Sequence, residues 1–314
     1  MRFRHRESSP GRVVLGHAPP APAARAVAAG PGGPGGMRRV RRSPLWRAAA
    51  GTLGAALVGV SLAGAGPARA VVGGTSAAQG EFPFMVSLRE NGYPYCGGTL
   101  VASQWVLTAA HCLTGRPVGI LSAVLDQAAR YGSGQTLGIS KAVIDPRYDS
   151  TTEDYDAALV RLATPVTGIT PVGIDPAGSG DTAFAQAGAS ATVIGYGSVD
   201  PEAINGDGSV DYPSSLQYAP VVIATDTTCT AVFNGTQEPV ARSDVMLCAG
   251  GDGHHDACVG DSGGPLLVQG GPAGWTQIGV VSWGAGCAVR GVPGVYTRLS
   301  QPSINSFVKS TIGH

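Results

Sequence analysis

The decapeptide Asp256–Pro265, D-A-C-V-G-D-S-G-G-P, constrains this chain more than any other stretch. Glycines on both sides of Ser262 permit a tight turn. Such a turn can expose the hydroxyl while backbone N–H groups converge on one point, as an acyl-transfer site requires. A serine hydroxyl is a poor nucleophile at neutral pH, so a base must take its proton and an acid must orient that base. Beyond Ser262 there is no Asp or Glu, and the only histidine is the terminal His314. The looser G-x-S-x-G pattern, whose acid and histidine follow the serine, therefore fails. The partners lie upstream, and the fold must carry them across a long separation.

They are present. T-A-A-H-C, Thr108 to Cys112, stands about 150 residues before the serine, and D-A-A-L-V-R-L, Asp156 to Leu162, lies between. A histidine in the apolar run W-V-L-T-A-A-H-C would by itself read as a hydrogen-bonded core residue. Asp149–Asp156, D-S-T-T-E-D-Y-D, holds four acids, most of which read as solvated loop charges. Asp156 is preferred over Asp154 because the apolar run begins immediately after it. The order His111, Asp156, Ser262 is that of chymotrypsin-like proteases. With V-V-G-G at Val71 and V-S-W-G-A-G-C-A at Val281, the chain from residue 71 to 314 resembles a trypsin-like serine protease. Its opening, V-V-G-G-T…A-A-Q-G-E-F-P-F-M-V, is especially similar to secreted bacterial trypsins.

That resemblance implies an all-β fold of two six-stranded Greek-key barrels, about 71–170 and 171–314, with a C-terminal helix. It implies a serine endopeptidase with His111 as base, Asp156 as its orienting acid and Ser262 as nucleophile. The N–H groups of Gly260 and Ser262 would form the oxyanion hole. Asp256, six residues before the serine, would floor a substrate pocket walled by Gly284 and Gly294, with Ser282 beside it supporting Asp156. Cleavage after Arg, and less readily Lys, follows, because Ala257 lacks a hydroxyl that many trypsins offer to Lys. The amine of Val71, once freed, would pair with Asp261. The resemblance also implies disulfides Cys96–Cys112, Cys229–Cys248 and Cys258–Cys287, since six cysteines alone allow fifteen pairings. Tyr196 stands where the family usually has Trp.

The residues carry part of this independently. Phe84, Val86 and Leu88 alternate as in a strand, and A-T-V-I-G-Y-G, P-L-L-V-Q and Q-I-G-V-V-S-W-G are short runs bounded by turn signals. Such strands with little helix suit all-β barrels. Pro165–Gly180 reads as the connection between halves, and Ser198–Ser215 as an acidic, Gly-rich surface loop near the cleft. Gly115–Ser140 shows too little pattern to assign. Ile304, Phe307, Val308 and Ile312 have helical spacing. Asn234-Gly-Thr236 is a glycosylation sequon. No cofactor or metal is expected: Asp126 stands alone where some relatives hold calcium, and His254-His255-Asp256 lacks zinc-type spacing.

Composition divides the chain at residue 70. Residues 1–70 carry eleven Arg and one Glu, whereas 71–314 carry ten Lys plus Arg against twenty Asp plus Glu. An acidic mature part argues against nucleic-acid binding. Residues 1–36 are a low-complexity extension, or translation begins at Met37. From there, R-R-V-R-R, an uncharged run over 48–66 and A-R-A at Ala68–Ala70 form a secretory signal. Cleavage after Ala70 would yield a secreted monomer without stable membrane association, its cysteines oxidised. Its expected partners are protein or peptide substrates with Arg or Lys at the cut and protein inhibitors.

Overall fold

The computed structural model describes residues 71–132, 134–178, 184–202, 209–234 and 239–313. The expected extension over 1–36 and signal over 37–70 lie outside the described residues, as do Gly235 and Thr236 of the sequon. Among the described residues no helix is long and apolar enough to cross a membrane.

The chain forms β1 (Thr75–Ser76), β2 (Met85–Glu90), β3 (Tyr93–Ala102), β4 (Trp105–Thr108), β5 (Leu121–Leu125), β6 (Gln135–Ile144) and β7 (Ala158–Leu162). There follow β8 (Gly173–Ile174), β9 (Ser190–Gly195), β10 (Gln217–Val222), β11 (Met246–Ala249), β12 (Pro265–Gln269), β13 (Trp275–Trp283) and β14 (Gly294–Arg298). Helix α1 (Asp226–Phe233) interrupts the second set, and α2 (Pro302–Ile312) ends the chain.

Strands β2-β3-β4-β7-β6-β5 close into a barrel in that order. The second set runs β10-β9-β12-β13-β14-β11. Its two ends meet at a single bridge, Ile223 with Ala249, flanked by bonds from Ala224 N to Cys248 O and Gly250 N to Val222 O. The second six-stranded unit is thus a sheet sealed at one point. Two short strands lie off this ring: β1 pairs with β10, and β8 runs parallel to β13. A division near residue 170 therefore misassigns β1, which pairs with the second system.

Burial explains where sequence patterning worked. In β2 all four residues Met85–Leu88 are buried, so the alternation of Phe84, Val86 and Leu88 marks one face of a strand covered on both. The unassigned segment 115–140 contains β5 and the start of β6. Most of β6 is exposed or half-buried and carries little apolar signal. Helix α1 was not expected either. Thr225 caps it by accepting from Thr228 N at 3.0 Å, and Cys229 and Phe233 face inward. Helix α2 buries Ile304 and Val308, and Gln301 caps it with bonds to Ser303 N and Ile304 N. The three disulfides join Cys96–Cys112, Cys229–Cys248 and Cys258–Cys287.

Candidate active site

Strand register brings His111 to Asp156. Thr108, the last residue of β4, lies opposite Ala158, the first of β7. The chain leaving one strand is therefore beside the chain entering the other. Asp156 receives His111 twice: Oδ1 accepts the backbone N–H at 2.9 Å, and Oδ2 meets Nδ1 at 2.8 Å. A third bond comes from Ser282 Oγ to Oδ2 at 2.6 Å. Ser282 sits at a register shift between Val281 and Trp283, where β13 slips against β14. Such bulges re-aim side chains. Thr297 Oγ, from β14, donates to the Asp156 carbonyl at 2.6 Å.

Asp156 is fully buried. Burial alone would raise its pKa, but the His111 charge and hydrogen bonds, with Ser282, hold it below the usual carboxylate value. Burial alone would lower the His111 pKa; the Asp156 charge and hydrogen bond outweigh it and raise that pKa. With Nδ1 facing the acid, Nε2 is the nitrogen that can exchange a proton.

The serine turn docks between the two β systems. Ser262 O accepts from Gly97 N at 2.7 Å, Gly263 N donates to Val281 O at 2.8 Å, and Val281 N donates to Gly264 O at 2.9 Å. A Cβ on Gly263 would lie 2.2 Å from Thr108 Oγ and 2.6 Å from Gly97 O. Only a glycine lets this turn lie against the strand that leads to His111. Ser262 itself is wholly buried, where the sequence pattern allowed an exposed hydroxyl. Within the turn Asp261 N donates to Cys258 O and Gly264 N to Asp261 O, both at 2.9 Å. The Gly260 N–H makes no backbone bond among the described residues, and Gly260 adopts φ +96°.

Asp261 is buried beside two glycines, Gly195 and Gly197, where any side chain would overlap its carboxylate. Its oxygens accept from Gly197 N at 2.8 Å and Cys258 N at 2.9 Å. Desolvation pushes its pKa up to about 6 against these bonds. Val71 is buried, and Val72 exchanges backbone bonds with Asp256 at 3.0 and 3.3 Å. In the uncleaved chain Val71 N is a peptide nitrogen and not an amine.

Asp256 is 2% exposed. Its Oδ2 accepts from Ala288 N at 2.9 Å, whereas Oδ1 is buried without a partner among the described residues. A Cβ on Gly294 would lie 2.9 Å from that oxygen and 3.5 Å from the Tyr296 hydroxyl, which is likewise unsatisfied. Gly284 adjoins Gly294, with its Cβ position 3.9 Å from Gly294 Cα. With no side chain of its own, Gly294 lets its backbone lie against two buried oxygens that have no partner among the described residues. Desolvation, with Asp261 and Asp252 nearby, pushes the Asp256 pKa up to about 7 despite bonds from Ala288 and Ala257.

Other sequence readings need correction. Glu153 and Asp154 are buried, not solvated: Tyr148 Oη donates to Glu153 at 2.8 Å, and Arg242 pairs with Asp154 at 2.8 Å. Glu153 adopts φ +58° and Tyr155 φ +54°, which folds the loop inward. His255 binds Asp252 at 2.7 Å and His254 lies 3.3 Å from Arg290, so neither joins Asp256. Asp126 accepts from the Gln79 side chain at 3.0 Å. Among the described residues, His111, Glu153 and Asp156 offer ligand atoms within 4.8 Å of one another. His111 Nδ1 is committed to Asp156 there, which leaves that cluster poorly suited to a metal. Thr297 and Tyr296 carry no motif signal and were missed; only the chain's return beside Asp156 and Asp256 reveals them.

Residues 71–308 match the Trypsin family. The chain is 35% identical over 238 residues to transmembrane protease serine 9 of Rattus norvegicus, spanning 74% of this chain and 21% of that longer protein. It is 35% identical over 244 residues to a trypsin of Xenopus laevis, spanning 77% of this chain and 90% of the relative. A third relative, trypsin I-P1 of Gallus gallus, is 34% identical over 244 residues and 89% covered. These three are vertebrate proteins.

Proposed function

From the premise that the chain belongs to the trypsin family and is a serine endopeptidase, we propose that it cuts protein chains after arginine, and less readily after lysine. The observation that carries this is the buried, unpartnered Oδ1 of Asp256 beside Gly294. A carboxylate out of water is costly until a cation joins it. A planar guanidinium offers several donors in a fork, enough for Asp256 and the Tyr296 hydroxyl together.

Ser262 attacks the scissile carbonyl while His111 takes its proton at Nε2 and later returns it to the leaving amine. Asp156, held by Ser282, fixes the imidazole tautomer and stabilises its cation. The Gly260 and Ser262 N–H groups bind the oxyanion, one such donor being worth roughly 3–4 kcal/mol in the transition state. No cofactor enters this scheme, and the partners are protein substrates and protein inhibitors.

Val71 becomes the first residue of the active form, a mature domain running from 71 to 314, through signal cleavage after Ala70. Its amine then pairs with Asp261. Secretion follows from the leader's basic, apolar, small-residue order, and the opening V-V-G-G-T favours a bacterial-type secreted enzyme. Secreted protein is to be sequenced at its N-terminus, labelled with a fluorophosphonate and assayed on matched arginyl and phenylalanyl amides. The expected result is a start at Val71, labelling at Ser262 and strong preference for arginine. Near-equal rates on the two amides would remove the ionic pocket, and any other start would remove the activation scheme.

A further inference from the structure

Arg130 lies in the loop between β5 and β6, on the first barrel, yet it also reaches the second β system. It is 3% exposed. Its backbone is fixed on both sides: the N–H donates to Ser214 O at 2.8 Å, and the carbonyl accepts from Gln127 Nε2 at 3.1 Å and Arg89 at 3.2 Å. Ala129 and Ser215 form an antiparallel bridge beside it. Among the described residues no carboxylate lies within ion-pair distance, and Nε has no partner. A buried cation without a directly paired acid is costly to retain.

Its guanidinium is used in other ways, among them a long bond from Nη2 to Pro94 O at 3.5 Å on the first barrel. Nη1 donates to the carbonyl of Tyr196. That carbonyl belongs to the same peptide whose N–H, on Gly197, donates to Asp261 Oδ1 at 2.8 Å. The guanidinium also lies over the Tyr212 ring, 3.9 Å from its centroid. Tyr212 presses on Gly260: a Cβ there would be 2.9 Å from Tyr212 Cε1 and 3.2 Å from Gly197 Cα. One side chain therefore grips both supports of the turn that carries Gly260, Asp261 and Ser262. Polarising the Tyr196–Gly197 peptide strengthens its bond to the acid.

We propose that Arg130 is a positioning residue for the oxyanion turn, pinning the Tyr196–Gly197 peptide against Asp261 and the Tyr212 ring against Gly260 so that the Gly260 N–H is aimed before substrate arrives. The inference rests on the oxyanion role given above to Gly260. It makes the first barrel, which supplies the base, a contributor to the oxyanion site as well.

The test uses protein beginning at Val71, as wild type and as Arg130→Met, which keeps apolar bulk under Tyr212. Four quantities are measured: kcat and KM on an arginyl amide, affinity for a peptidyl-arginine aldehyde, affinity for benzamidine, and fluorophosphonate labelling. The aldehyde adduct places an oxyanion in the hole, whereas benzamidine occupies only the Asp256 pocket. Arg130→Met is expected to lower kcat/KM roughly 10- to 100-fold, mostly through kcat, the size of losing a hydrogen bond to a charged group. Aldehyde affinity falls in step and benzamidine affinity changes little. Arg130→Lys restores part of the loss. Wild-type kcat in the Met variant, or equal losses for aldehyde and benzamidine, overturns the proposal. If the Met variant does not accumulate folded, Tyr212→Leu gives the same split at smaller amplitude, and parity with wild type there overturns it. Wild type that is neither labelled nor active removes the parent reading as well; active wild type with an unaffected variant removes this one alone.

Discussion

At the level of single residues, the ionisation of His111 and Asp156 is moved by each other against burial, and that of Asp256 by burial itself. His111 must be neutral to accept a proton, and Asp156 raises its pKa above the ordinary 6.5. Activity therefore falls as pH drops through a midpoint above 6.5. In kcat the limb has one-proton steepness, because bound substrate already holds Asp256 ionised. In kcat/KM it is steeper, because free enzyme also protonates Asp256 near 7. A pH series on an arginyl amide checks both, and equal one-proton limbs would deny Asp256 its place in the pocket. Asp156→Asn loses roughly 10⁴-fold in kcat, the magnitude known for the reference triad. Ser262, His111, Asp156 and Asp256 stand out in the sequence because each sits in a short run of distinctive neighbours. Tyr296, Thr297 and Arg130 do not: their contacts come from segments far along the chain, and nothing beside them in sequence marks them.

At the level of elements, the glycine-bearing serine turn and the β13 bulge set the geometry of the candidate site. Gly263 adopts φ +78° against Thr108 and Gly97 O. Gly263→Ala forces a Cβ onto a backbone carbonyl and a strained backbone, costing about 2–5 kcal/mol. The expected outcome is a lowered melting temperature together with loss of fluorophosphonate labelling; a variant that melts and labels like wild type contradicts this packing. The apolar runs of β4, β12 and β13 were readable because those strands are buried along most of their length. β6 was not, since its outward face is polar, and neither was α1. That helix is eight residues long and owes its place to tertiary contacts: the Cys229–Cys248 link and Phe233, whose ring meets Trp283 edge-on at 4.8 Å.

At the level of the whole molecule, the buried acids oppose one another across the pH scale. Asp256 and Asp261 have folded pKa values near 7 and 6, above the ordinary 3.8. Groups raised in this way bind more protons folded than unfolded, so their contribution is full below about pH 4 and is lost as pH rises through 6–7. Asp156 acts in reverse: its lowered pKa adds stability above 3.8, lost only in stronger acid. Uncleaved Ser262→Ala protein, in which Val71 offers no amine to Asp261, should therefore lose melting temperature between pH 4.5 and 7.5, and benzamidine should raise it more at pH 8 than at pH 5. An equal benzamidine shift at both values would sink the Asp256 part. The two-system architecture was legible from its turns and short strands, but the pairing of β1 with the later half was not, since a two-residue strand leaves no pattern. That pairing has a temporal side. Val72 and Thr75–Ser76 find their backbone partners at Asp256 and Gln217–Tyr218. A nascent chain has nothing to fasten its front to until its back has been synthesised, so a polypeptide halted partway, base and acid already in hand, carries a loose leading end.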